Sequence, residues 1–327
     1  MNNEEIMVSI CCITYNHERY IKQALDSFLK QKTNFRYEVI VYDDASKDNT
    51  SKIIKQYEEK YSKIIKPIYA QENQYSKGRQ TLEFTFKEAK GKYIAVCEGD
   101  DYWIDENKLQ MQVDYMENNE QCTLCFHDAI ILNMQNNEKT SWKWYNKKFY
   151  KKTGNYNAGE LELLGAKPTA SYMFRTKYVE KIPDWFEKCI VGDKPLELIM
   201  TSFGYAYHIE KIMSVYRVGT GSSVMDKINK DNEENKKAIQ YWEKIEWILD
   251  KFNYFSNYKY DKELNLPKKE IQLNILIAKE EYKKIIKEKK YRKLIKTSEK
   301  LKFFLKGYFP KMYENMKKRL RKDYEEK

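Results

Sequence analysis

The chain has 327 residues, long enough to bury a sizeable core and to hold one large domain or a domain with an appendage. Its 60 Lys and Arg outnumber its 49 Asp and Glu, but the excess is local: residues 226–327 carry 29 basic and 18 acidic groups, a net of +11, and residues 1–225 balance at 31 of each. No run of 18 apolar residues occurs, and MNNEEIMVSI has no basic segment ahead of an apolar one, so neither a membrane-spanning helix nor a secretory leader is expected, and a cytoplasmic protein is.

Elements alternate along the first part. MVSICCITY is a continuous apolar run, predicted to be a buried first strand of a sheet covered on both faces. NHERYIKQALDSFLKQ places Tyr20, Ile21, Ala24, Leu25, Phe28 and Leu29 on one helical face, with Asn16 positioned to cap it. YEVIVYDDAS and SKDNTSKIIKQYEEKY repeat the strand and the helix, IKPIYA is a third strand, TLEFTFKEA a helix and KYIAVCEGDD a fourth strand. This order predicts a doubly wound, mainly parallel α/β sheet whose ligands gather at the carboxyl ends of its strands. Six cysteines sit mostly inside apolar runs, as reduced buried thiols do. Cys122 and Cys125 have zinc-knuckle spacing, but no second pair follows.

Thr14, Tyr15 and Asn16 follow the first strand, Asp43 and Asp44 the second, and Glu98, Asp100 and Asp101 the fourth. Carboxylates converging on one sheet edge repel one another, and a divalent cation such as Mg²⁺ or Mn²⁺, bridging them to substrate phosphates, relieves that repulsion. No G-x-x-x-x-G-K-[ST] loop is present and no G-x-G-x-x-G follows the first strand, which disfavours a kinase, an ATPase or a dinucleotide enzyme; a nucleotide whose leaving group is a diphosphate remains, and nucleotide sugars fit.

VSICCITYNHERYIKQALDSFLKQ, YEVIVYDDASKDNT, GKYIAVCEGDDYW and the later GDKPLELIMTSFGYAYHIEKIMSVYRVGTG together resemble the family 2 glycosyltransferases of GT-A fold, in particular bacterial enzymes of capsule, lipopolysaccharide and other surface-glycan synthesis. The resemblance covers roughly residues 5–225 and implies a glycosyltransferase domain over 1–225; the charge shift, GTGSS at 219–223 and the loss of strand-like runs beyond it mark a boundary near residue 225, with a basic region of helical apolar spacing over 226–327. It implies that Thr14, Tyr15 and Asn16 pack on the nucleoside, that Asp44 binds the uracil ring, and that Arg79 lies near the base and phosphates. It assigns Asp101 to the metal and Asp100 to the ribose or donor sugar. Glu98 replaces the commoner Asp at the head of that motif, with a longer reach. Asp193 matches the base that takes the acceptor's proton in an inverting, single-step transfer.

Each residue also has a plainer reading. Asp43 and Asp44 suit turns or helix starts, Asp193 suits an N-cap, and Arg79 suits a surface ion pair. Tyr102 and Trp103 fit a sugar pocket or the core equally. His127 and His208 are candidates for extra metal ligands or for structural hydrogen bonding. TSWKWYNKKFYKKTGNY, rich in Trp, Tyr and Lys, is expected to meet a glycan or lipid-linked acceptor, with Thr169 and Ser171 of the predicted strand KPTASYMFR as pocket hydroxyls. Lys287–Lys322 holds 15 basic and 3 acidic residues among aromatics, the composition either of a helix lying on anionic membrane or of a solvated helical appendage. No nucleic-acid module is present. Two alternatives stand beside the transferase: a nucleotidyltransferase on a similar sandwich, and an inactive carbohydrate-binding relative.

Overall fold

The computed structural model describes residues 5–142, 148–151, 153–220 and 234–325, without the side chains of 234 and 318–325. The chain divides into two compact units, residues 1–227 with 251–261, and residues 228–250 with 262–327. The expected boundary near residue 225 lies outside the described residues.

The first unit is built on one ten-stranded sheet of order β3-β2-β1-β4-β9-β6-β10-β5, with β7 on β6 and β8 on β10. The strands are β1 (Ile6–Thr14), β2 (Arg36–Asp43), β3 (Ile65–Tyr69), β4 (Tyr93–Val96), β5 (Tyr102–Trp103), β6 (Cys122–Asn133), β7 (Lys139–Ser141), β8 (Gly154–Tyr156), β9 (Met173–Arg175) and β10 (Tyr205–Val218). The helices are α1 (Ile21–Leu29), α2 (Thr50–Lys60), α3 (Leu82–Phe86), α4 (Lys108–Glu117), α5 (Ala158–Leu164) and α6 (Asp193–Ser202).

Strands β1 to β4 pair in parallel and form the doubly wound half that the sequence predicts. Val8, Ser9, Ile10, Cys11 and Cys12 are all fully buried, and since neighbouring side chains point to opposite faces, both faces of β1 are covered. Ile21, Ala24, Leu25 and Phe28 bury the inner stripe of α1 at helical spacing, about 1.5–3 kcal/mol for each large side chain. Beyond β4 the sheet is mixed: β9 joins antiparallel to β4 and β6, and β5 antiparallel to β10, while β6 and β10 are parallel. The strand expected over KPTASYMFR is limited to β9, because residues Thr169–Ser171 form a 3₁₀ turn.

The second unit is helical, with α7 (Glu234–Phe255) ending in the first unit, then α8 (Asp261–Ala278), α9 (Tyr282–Lys287), α10 (Lys289–Arg292), α11 (Thr297–Tyr308) and α12 (Pro310–Glu325). Its core is Leu273, Leu276, Tyr282, Ile285, Tyr291, Ile295 and Phe303. Among the described residues no helix is long and apolar enough to cross a membrane.

Candidate active site

Strand order reverses beside β1, which has β2 on one side and β4 on the other, so a crevice opens at the carboxyl ends of β1 and β4. Two loops clasp each other there. Asn16, in the left-handed region at φ 55°, donates its N–H to the Ser46 hydroxyl and accepts the Lys47 N–H at 2.8 Å. It therefore does not cap α1, which starts four residues after His17 with Tyr20 at its N-cap and no side-chain capping bond. The buried Thr14 hands its carbonyl to the Asp44 N–H, and Tyr15 is half-buried beside it.

Neither Asp43 nor Asp44 is a helix cap. Asp43 accepts from Ser46 and from the Ser51 hydroxyl, while the buried Asp44 carboxylate accepts the N–H groups of Gln74 at 2.7 Å and Tyr75 at 3.0 Å. Gln74 also accepts from the Arg79 guanidinium at 3.3 Å, and that guanidinium lies 5.1 Å over Phe84, which stacks on Tyr42. Arg79 is exposed but held, and it is tied through one residue to Asp44.

The EGDD loop folds back on β1. Gly99 donates to the Ile13 carbonyl at 2.9 Å, and a Cβ at Gly99 would sit 2.7 Å from the Thr14 hydroxyl oxygen and 3.1 Å from His17 Nδ1. Only glycine permits that approach, so Gly99→Ala is expected to cost about 1–3 kcal/mol as the loop is pushed off β1. Thermal melts should show the loss.

Asp101 is buried, with Oδ1 accepting the Arg217 N–H at 2.8 Å and Oδ2 buried without a hydrogen-bond partner. Asp100 is the more accessible, with its carboxylate 3.7 Å from His17 Nε2. Burial pushes Asp101 well above the usual carboxylate range, and Asp100 and Glu98 push it further. Burial raises Glu98 too, with Asp100 and Asp193 adding to the effect. The half-buried Tyr216 hydroxyl is raised by desolvation and then by Glu98, Asp101, Asp193 and Asp100 together. Asp193, almost a hundred residues away in sequence, thus belongs to the same electrostatic cluster. It stands first in α6, half-buried, and the N-cap is Gly192 with no side-chain capping bond.

Two residues absent from the sequence reading complete the site. Arg217, buried between the rings of Tyr20 (5.0 Å) and Tyr102 (4.5 Å), donates to the Asp100 carbonyl and to Gln23. The antiparallel register of Val215 with Tyr102 brings it there. His17, pushed below its usual range by burial against the pull of Asp100, faces the loop from below. Of the eight buried side-chain polar atoms without a partner among the described residues, five belong to Thr14, His17, Asp101, Ser214 and Arg217, in the segments around this loop. Buried polar groups are ordinarily paired, so this concentration marks a site built for a polar ligand.

Other expected residues lie elsewhere. Trp103 is a core ring: it packs 4.8 Å from Phe28, carries the Lys108 ammonium 4.0 Å from its centroid, and donates its indole N–H to the Ala170 carbonyl. That leaves no face for a sugar. Ser171 spends its hydroxyl on the Pro168 carbonyl, and Thr169 is buried in the same turn. His208 is bound by Asp128 at 3.1 Å, and His127 by the Asp128 carbonyl at 2.8 Å, so neither faces the carboxylate loop. Trp142 meets Tyr216 edge-on at 5.5 Å, whereas Lys143–Lys147 and Lys152 of the expected acceptor segment lie outside the described residues.

Among the described residues no group of three His, Cys, Asp or Glu forms a protein-only metal cage. A Mg²⁺ or Mn²⁺ ion does not require one, since it is held by one or two carboxylates together with substrate phosphates. Asp100 and Asp101, mutually repelling and with one buried oxygen unpaired, fit that requirement.

The uncharacterized protein Rv1520 of Mycobacterium tuberculosis is 43% identical over 129 residues, covering 38% of this chain and 36% of that one. The chain thus spans about a third of the length of the first curated relatives it matches. The UDP-Glc:alpha-D-GlcNAc-diphosphoundecaprenol beta-1,3-glucosyltransferase WfgD of Escherichia coli is 36% identical over 117 residues, which is 36% of this chain and 43% of that one. In fold, the chain resembles the mannosyltransferase PcManGT of Pyrobaculum calidifontis, solved with GDP-Man and Mn²⁺, at a TM-score of 0.53 and 14% identity over 94% of this chain and 88% of that one. The family model for glycosyl transferase family 2 matches residues 9–179. Since that match begins inside β1, takes in the clasped loops and the whole EGDD segment, and covers more than half of the 327 residues, the chain belongs to glycosyl transferase family 2.

Proposed function

We propose that this protein is an inverting glycosyltransferase that moves a sugar from a nucleotide-diphosphate donor, UDP-linked, to a glycan or lipid-linked acceptor in bacterial surface-polysaccharide synthesis. The observation that carries the reading is the electrostatic coupling of Glu98, Asp100 and Asp101 with Asp193 and Tyr216, which supports a division of labour between carboxylates serving the diphosphate and one serving as the base. The named donor of WfgD supports UDP.

Asp44 holds the base. Two backbone N–H groups fix its carboxylate, which keeps acceptor capacity for a pyrimidine ring N–H. Thr14, Tyr15 and Asn16 form the turn against which the nucleoside lies, and Arg79 stands over the phosphates. Asp101, with the more accessible Asp100 beside it, would hold a divalent ion, and Glu98 would add its charge to that group. When bound, that ion neutralises charge building on the departing diphosphate. Asp193 takes the proton of the acceptor hydroxyl as that oxygen attacks the anomeric carbon. Trp142, set edge-on to Tyr216, offers an aromatic face for the acceptor sugar.

A donor screen measuring released nucleotide with Mn²⁺ present tests the reading; release from no sugar nucleotide by the full chain sinks it. A separate expectation concerns the ion. Mn²⁺ together with UDP raises the melting temperature of the wild type, and Asp100→Asn and Asp101→Asn each remove the Mn²⁺-dependent part of that rise. UDP affinity equal to wild type in both variants would take the metal away from these residues.

A further inference from the structure

We propose that α11 and α12 form a docking surface for an anionic lipid bilayer. Leu301, Phe304 and Tyr308 recur at i, i+3 and i+7 on α11, and Phe309, Met312 and Met316 continue with the same spacing into α12. All six are exposed, Leu301 by 62% and Phe309 by 50%. The stripe is continuous across the joint between the helices, with Phe304 and Tyr308 5.1 Å apart and Phe304 and Phe309 5.9 Å apart.

The stripe is not needed to hold the unit together. The inward side of α11 is already spent: Phe303 packs on Tyr282 at 5.4 Å, and a Cβ at Gly307 would lie 3.1 Å from the Lys283 backbone nitrogen. Phe304 and its neighbours are therefore a second apolar face on a helix whose first one builds the core. A contiguous exposed apolar stripe rimmed by charged residues marks an interaction site.

Charge selects the occupant. Residues 296–317 hold six Lys and two Glu, and the exposed Lys302, Lys311 and Lys317 lie on the same two helices as the stripe. Aromatic and methionine side chains that enter an acyl boundary, flanked by lysines that meet phosphate headgroups, form the arrangement of an interfacial helix. A bilayer rich in anionic lipid offers both complements at once. This surface does not depend on the transferase reading, and its test contains no sugar donor.

The full chain is sedimented with phosphatidylcholine vesicles, with and without phosphatidylglycerol. We expect it to pellet with the anionic vesicles alone and to be released by added salt. Phe304→Asp with Phe309→Asp should lower the partition coefficient at least ~tenfold, and Lys302→Glu with Lys311→Glu should lower it comparably. Both pairs are exposed, so far-ultraviolet melts should match wild type. No pelleting of the wild type overturns the proposal, as does unchanged binding of the phenylalanine variant. If that variant instead converts a dimer to a monomer in light scattering and leaves vesicle binding unmoved, the stripe is a contact between copies and the proposal fails.

Discussion

Asp193→Asn is expected to keep the fold and keep donor binding while lowering transfer to the acceptor by about a hundredfold or more, the scale of lost general-base catalysis. The amide is nearly isosteric but cannot accept the hydroxyl proton. The structure sharpens the comparison with a purely structural role. Because the N-cap of α6 is Gly192 and Asp193 makes no capping bond, Asp193→Ala should also melt close to wild type, losing only the ~0.3–1 kcal/mol that an acidic side chain contributes in a first turn. Two stable variants with crippled transfer identify a base. Near-normal turnover in Asp193→Asn removes it from the chemistry, and a large melting loss in Asp193→Ala reassigns it to the architecture of α6.

The largest stability effect is expected one turn along the same helix. Glu197 is buried with Oε1 2.6 Å from the Lys167 ammonium and Oε2 accepting the Tyr172 hydroxyl at 2.5 Å. Lys167 uses its other donors on the carbonyls of Leu161 and Gly165, so every proton of the ammonium is placed. Burial pushes Glu197 up to about 7 and Lys167 down, while the pairing pulls each back. Glu197→Ala strands a buried ammonium and should cost ~3–5 kcal/mol, a fall in melting temperature on the order of 10 °C. Replacing both partners, Lys167→Met with Glu197→Leu, should recover most of that loss, since a well-packed apolar pair is often as stable as a buried ion pair. If Glu197→Ala stays within about 1 kcal/mol of wild type, the pair is not the strut that fixes α6.

What the sequence made legible follows from the range of the interactions. Strands β1, β2 and β4 hold largely buried runs, whereas β3 is a more exposed edge strand, and the carboxylates that follow β2 and β4 announce the site by position alone. The mixed half was less legible, because β5, β8 and β9 are two or three residues long and owe their pairing to partners far along the chain. The spacing of Asn16 to the helix suggests a cap, but its side chain serves a loop thirty-one residues away. Trp103, beside three carboxylates, gave no local hint that its ring turns into the core. Arg217 carried no signal at all: its contact with Asp101 spans 116 residues and rests on the register of β5 with β10. Asp193 was found only through resemblance, since a single carboxylate at a helix start says nothing about what it faces.

The clasp between Arg217 and the EGDD loop sets an order of events during synthesis. Residues 6–96 can pair β1, β2, β3 and β4 from contacts close in sequence, as soon as that half leaves the ribosome. The loop is then present without Arg217, whose backbone N–H holds the Asp101 carboxylate and whose guanidinium holds the Asp100 carbonyl, because β10 is made more than a hundred residues later. A nascent chain therefore presents the loop carboxylates before it presents the strand that clasps them. The pairing of β10 with β5 is what completes the clasp on the EGDD loop.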